Sequence, residues 1–207
     1  MSDSPIDIGE VERNEDPADE AAPPRRKTRL IVLSALLVVA VAGAGVLGYT
    51  AWQISTQKDA KLIVPTKVGT LTLDESENAK STADYLQTAV AAEIDLDKTV
   101  GAVYQDTGDK NVLFFGGTAL FWTPENDLDT AFDLIADNEG AVTDLHKVDA
   151  GPLGGTMKCG KTKSDTGELT VCGWSDHGSL ALAMFNNRTE SEAAPLLREL
   201  RGAAESR

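Results

Sequence analysis

Histidine and cysteine are scarce in this chain, two of each among 207 residues. His146 and His177 have no partners at metal-site spacing, so no metal centre is expected, and no cofactor motif accompanies them. Basic residues are also few, 19 against 33 acidic ones, a formal net charge of −14. That balance excludes a general nucleic-acid binder, which needs a basic face. Aromatic residues make up 5% of the chain. Charge is missing altogether from one long stretch: the 23 residues from Leu30 to Trp52 carry none.

That stretch reads as a transmembrane helix over residues 30–52. At 1.5 Å per residue it is about 34 Å long, enough for a hydrocarbon core of about 30 Å. Tyr49 and Trp52 sit at its far end, where amphipathic rings favour the membrane interface. A buried soluble helix is the alternative, but such helices are rarely apolar on every face over this length. Arg25, Arg26, Lys27 and Arg29 precede the run, and only Lys58 and Lys61 follow within ten residues. The positive-inside rule then puts the N-terminus in the cytoplasm and the C-terminal part outside the cell membrane. A cleaved signal peptide is a competing reading, with Ala42 to Gly45 as the site, but the basic region is too far from the start and the apolar core too long. Ala40, Ala44 and Gly48 form a small-residue stripe of the kind that packs helix pairs, a spacing that chance also produces.

Residues 1–29 combine eight acids and four prolines with the basic juxtamembrane end. Without aromatics, this tail cannot bury enough apolar surface to fold, so it is expected to be disordered. It is either a solvated leader or a docking segment for a cytoplasmic regulator. Residues 53–60 read as a linker. Residues 61–207 are long enough for one domain with a sizeable core. From Gln53 onward there are 14 basic and 25 acidic residues, a balance of −11 that favours cationic partners.

Within that domain, residues 62–73 read as a strand broken at Pro65, and Asp74 with Glu77 as a helix start. Ala79, Ala83, Leu86, Val90 and Ile94 recur at helical spacing. Strands are expected over 99–104 and 112–115 around an Asp106-Thr107-Gly108-Asp109 turn, with 118–122 as a further strand. Thr123-Pro124 starts a helix whose inner face is Leu128, Ala131, Phe132 and Ile135, ended by Gly140. Strands follow at 142–148, 156–161, 169–174 and 179–185. Thr189 and Glu192 form a capping box for a last helix with the stripe Ala193, Leu196, Leu197 and Leu200. This irregular mixture predicts an α+β domain of antiparallel hairpins and about three helices.

A shift of 59 residues aligns Gly101 with Gly160, Asp106-Thr107-Gly108 with Asp165-Thr166-Gly167, and Val112 with Val171. This suggests an internal duplication, although tight turns draw on few residue types and converge readily. Cys159 and Cys172 flank the second of these turns. With the turn centred between residues 165 and 166, they face each other across a hairpin, Met157 faces Trp174, and Lys161 faces Thr170. A structural disulfide is expected from that register. A redox pair, which usually has two residues between its cysteines, is the alternative. The duplication would place Val100 opposite Leu113 at the equivalent position.

Catalytic chemistry finds little footing. Ser175-Asp176-His177-Gly178-Ser179 puts a serine, an acid and a histidine side by side, yet triads are assembled from separated segments. The segment reads as a turn, Gly116-Gly117 and Gly154-Gly155 as bulges or turns, Trp122 and Trp174 as core or rim packing, and Asp127 and Asp129 as first-turn helix charges.

Met157-Lys158-Cys159-Gly160, Val171-Cys172-Gly173-Trp174-Ser175-Asp176 and the closing Leu197-Arg198-Glu199-Leu200-Arg201 resemble a set of uncharacterised single-pass membrane proteins of Streptomyces and related actinobacteria. The resemblance covers about the last third of the chain plus the layout. It implies a Gram-positive cell surface and carries no activity or functional residues with it. The sequence therefore leads to a non-catalytic, membrane-anchored extracytoplasmic module that binds or scaffolds a protein or cell-surface partner. A signal-relay protein using its acidic tail, or a surface hydrolase, are the alternatives.

Overall fold

The computed structural model describes residues 25–139, 141–164 and 167–207. The acidic tail up to residue 24, Gly140 as a helix stop, and Asp165 and Thr166 in the second turn lie outside the described residues. The chain divides into two compact units, Met1–Leu47 and Gly48–Arg207. Helix α1, Arg25–Gln57, begins in the first and ends in the second. Among the described residues it is the one helix long and apolar enough to cross a membrane. It outruns the expected 30–52 at both ends, because nothing in 53–57 opposes helix. The expected linker is therefore largely helical, and its last residues are built into the domain: Gln57 and Ala60 are buried.

The second unit runs β1 (Lys61–Leu62), β2 (Lys67–Val68), β3 (Leu71–Leu73), α2 (Glu77–Glu93), β4 (Lys98–Gln105), β5 (Val112–Thr118), α3 (Pro124–Glu139), β6 (Thr143–Val148), β7 (Thr156–Ser164), β8 (Gly167–Ser175), β9 (Ser179–Asn186), α4 (Glu190–Ala204) and β10 (Glu205–Ser206). Strands β2 to β9 form one antiparallel sheet in the order β2-β3-β4-β5-β9-β8-β7-β6, and β1 pairs with β10 separately. The α+β reading of antiparallel hairpins with three helices holds for this unit.

Three local expectations are corrected. Residues 62–73 are not one interrupted strand, because Gly69 turns the chain at φ +55° and folds β2 back on β3. The cap of α2 is Ser76, whose hydroxyl accepts from Ala79 N–H, while Asp74 instead accepts from Ser76 N–H. Residues 119–122 are not a strand. After Thr118 the chain leaves the sheet, and Phe121 N–H donates to the His177 carbonyl.

Both faces of the sheet are covered. On one, α4 lays Ala193, Leu197 and Leu200 over Phe114, Cys172, Trp174 and Ala183. On the other, α3 lays Leu128, Phe132 and Ile135 over Val171, Leu180 and Leu182, and Val90 of α2 joins that core. This arrangement explains the continuous apolar run of β9: alternate residues feed different cores.

The cross-strand pair that the duplication implies is not formed. In β4–β5, Val100 faces Gly116 and Leu113 faces Val103, so Val100 and Leu113 are not opposed.

The chain end is clasped by buried charge. Arg201 donates to Asp176 at 2.6 Å and to Glu205 at 2.8 Å, and its guanidinium lies 5.4 Å from the Trp174 ring centroid. Arg207 bridges the same two carboxylates. Asp176 also accepts from Gly178 and Ser179 N–H, closing the β8–β9 turn. That turn rests on the end of α1: His177 N–H donates to Gln57 Oε1 at 3.2 Å, and a Cβ at Gly178 would lie 1.8 Å from the Gln57 carbonyl oxygen.

Candidate functional site

The two helices on the second face cover different strands. Helix α2 sits low over β4 because Ala79 and Ala83 are small and Gly101 offers no side chain. A Cβ at Gly101 would lie 2.8 Å from the Ala83 carbonyl oxygen. Helix α3 is held over β7, β8 and β9 instead. Gly173 lets Leu128 approach, and Lys158 rises from β7 to meet Asp129 at 2.5 Å and Glu125 at 3.4 Å. Lys147 of β6 adds a contact to Glu125 at 2.7 Å. The Lys147 hydrogen bond holds the Glu125 carboxyl below its ordinary range, with Lys158 adding to it.

Between the helices, over the centre of the sheet, lies an apolar cavity. Leu113 faces Met184 and Phe115 faces Leu182 across β5 and β9, so four apolar side chains share one floor. Leu86, Ala89 and Val90 of α2 form one wall, and Ala131 and Ile135 of α3 the other. The cavity volume is about 440 Å³. Tyr85 stands exposed on its rim. Toward the start of α2 a second hollow of about 530 Å³ shares Leu113 and Met184. Its lining turns polar with Asp74, Ser76, Asn78, Thr82, Asn111 and Asn186. The two hollows follow one another along α2, with Asp74 in the lining of one and Glu93 in that of the other. Neither lining contains a lysine, arginine or histidine. The Ser76 backbone and hydroxyl groups and the Gln105 amide hold Asp74 below the usual carboxylate range, so it is charged at neutral pH.

The residues singled out from sequence lie elsewhere. Cys159 and Cys172 face each other with their sulfurs at disulfide distance, 2.01 Å. Met157 faces Trp174 and Lys161 faces Thr170, as the turn predicted. The cysteine pair is fully buried under α4, on the sheet face away from the cleft. Arg25, Arg26, Lys27 and Arg29 fall in the first turns of α1, where side chains are outside the described residues. The Ser175–Ser179 segment is the clasped turn described above. Within it His177 Nδ1 meets the Phe121 carbonyl and makes no contact with Ser175 or Ser179 among the described hydrogen bonds. Trp174 is core, whereas Trp122 is exposed.

No family model matches the chain, and no curated protein or solved structure matches it. The cleft was missed in the sequence because each of its walls reads as an ordinary buried helix face. A partial signal was present: the two stripes at 79–94 and 128–135 need more partner surface than each other, and β5 and β9 carry apolar residues for both faces.

Proposed function

We propose that this protein is a membrane-anchored, extracytoplasmic, non-catalytic binding module, and that its binding surface is the cleft between α2 and α3. The observation that carries the reading is the apolar cavity of about 440 Å³ between α2 and α3, walled by Leu86, Ala89 and Val90 on one side and Ala131 and Ile135 on the other. Such concave apolar surfaces with a few polar groups at their margins are the common form of a binding site. Helix α1 supports the anchored part, and the basic residues before it support a cytoplasmic N-terminus. An actinobacterial cell surface follows from the resemblance in the last third of the chain.

Site-specific photo-crosslinking on intact cells tests the binding role. A benzophenone side chain at Ala89, in the cleft wall, should give a discrete crosslinked species. The same group at Thr88, exposed on the neighbouring side of α2, should not. Equal crosslinking from both positions, or none from Ala89, would remove the cleft as the functional surface.

A further inference from the structure

Building on helix α1 as a membrane anchor, we infer that the end of the sheet next to α1 rests on the phospholipid interface, with Leu120 and Trp122 seated among the headgroups at the level of Trp52. Three observations converge on this surface.

The first is where α1 ends. Residues 48–57 belong to the same compact unit as the sheet, and the helix runs unbroken from Tyr49 and Trp52 to Gln57. Gln57 is buried against the β8–β9 turn, where its Oε1 accepts from His177 N–H. Trp52 and Gln57 are five residues apart, about 7.5 Å along the axis at 1.5 Å per residue. Headgroups occupy about 5–7 Å on each side of the hydrocarbon core. With the Trp52 ring at the edge of that core, the turn stands at the outer edge of the headgroups, not far out in water. The strand pairing shows which loops share that level. Thr118 faces both Lys98 and Ser179, and Ser175 faces Thr156. Residues 119–123 therefore leave the sheet at the same end as the 176–178 turn.

The second is how that loop is held. Phe121 is buried, its N–H donates to the His177 carbonyl at 3.1 Å, and its own carbonyl meets His177 Nδ1 at 2.8 Å. The residue that fixes the loop is thus the one that bonds the end of α1. On either side of Phe121 the apolar side chains are turned out: Leu120 is 45% exposed and Trp122 71%. The third is composition. The chain has three tryptophans. Trp174 is core, Trp52 ends the uncharged run, and Trp122 stands in the open on a firmly bonded loop. An indole at a membrane interface buries its apolar ring while its N–H stays wet, a gain it does not have in water. From Gln53 onward there are 14 basic and 25 acidic residues, so charge sets the domain against an anionic surface. The contact is therefore made by apolar side chains and not by basic attraction.

The experiment uses the full chain in vesicles of zwitterionic phosphatidylcholine, with acyl chains either plain or brominated near their carbonyl end, because bromine quenches indole fluorescence only at close range. Subtracting the emission of Trp52→Phe/Trp122→Phe from that of Trp52→Phe isolates Trp122, and subtracting it from that of Trp122→Phe isolates Trp52. The remaining Trp174 is buried in protein and cancels. As a control, Lys163→Trp added to the double variant puts an indole at the opposite end of the sheet, near the β7–β8 hairpin tip. Circular dichroism checks that each variant keeps the wild-type fold. Brominated lipid should remove at least half of the Trp52 signal and at least half of the Trp122 signal, and leave the signal at position 163 unchanged. Quenching of Trp52 with less than half of the Trp122 signal removed would put the loop in water and overturn the inference while leaving the anchor in place. Quenching at position 163 as strong as at Trp122 would mean that the domain lies on lipid with no preferred face, and would overturn this surface. Quenching at neither Trp52 nor Trp122 would remove the anchor itself, and the inference with it.

Discussion

At the residue scale, the clasp around Arg201 shows how buried charge is tolerated here. The Arg201 side chain is 1% exposed and the Asp176 and Glu205 carboxylates 0%. Removing three charges from water is costly, and attraction offsets that cost only if every donor and acceptor is met. Arg201 meets Asp176, Glu205 and the Gly154 carbonyl, and stacks on Trp174, so the guanidinium is well satisfied. The consequence of losing one partner follows directly. Arg201→Ala should destabilise the domain by about 3–5 kcal/mol, because two carboxylates are left together in the interior with only Arg207 beside them. Urea unfolding followed by fluorescence measures this. Arg201→Lys should recover only part of the loss, since an ammonium cannot span both carboxylates in the guanidinium's fork geometry. A loss for Arg201→Ala below about 1 kcal/mol would show that the clasp contributes little.

At the element scale, the β7–β8 hairpin is the best test of the pairing. Nine opposed pairs from Thr156–Ser175 to Ser164–Gly167 keep one register, and Cys159 and Cys172 lie in its middle. Replacing both cysteines by alanine should cost about 2–5 kcal/mol, the usual range for a native bridge in a small domain. Peptide mapping of unreduced, alkylated protein checks the covalent bond, and two freely alkylated thiols would sink it. This register was legible from sequence because a two-residue turn leaves one solution and period-two alternation does the rest. The same held for α3 and α4, where Pro124, Thr189 with Glu192 and the leucine stripes agree. It failed for residues 62–73 and 118–122. There short apolar runs cannot distinguish a strand from a loop packed on a core, and a single glycine, Gly69, decides the path. The cleft was illegible for a different reason. Which strands α2 and α3 cover depends on Gly101, Gly173 and Lys158, contacts that are remote in sequence and set by tertiary packing.

For the whole molecule, the proposed anchor raises two questions, on which side of a membrane the domain would lie and whether it would stay attached. Four basic residues, Arg25, Arg26, Lys27 and Arg29, stand just before the uncharged run, and Lys58 is the first cation after it. Retention of that cluster in the cytoplasm predicts an exposed C-terminal domain. Trypsin added to intact protoplasts should therefore release or degrade the domain beginning near Lys58, whose side chain is accessible, and spare an N-terminal epitope. Loss of the N-terminal epitope with survival of the domain would reverse the orientation. Attachment needs a separate measurement, because folding does not report on it. Cleavage after Gly45 would still leave Gln57 to bond with the His177 backbone and Gly178 to close over the Gln57 carbonyl. A cleaved domain would thus keep its seat for the end of α1 and look intact by any stability measurement. The mature N-terminus distinguishes the cases: intact mass on membrane extracts should give the uncleaved chain, and recovery of a secreted form starting near residue 45 would show that the helix is a removable leader.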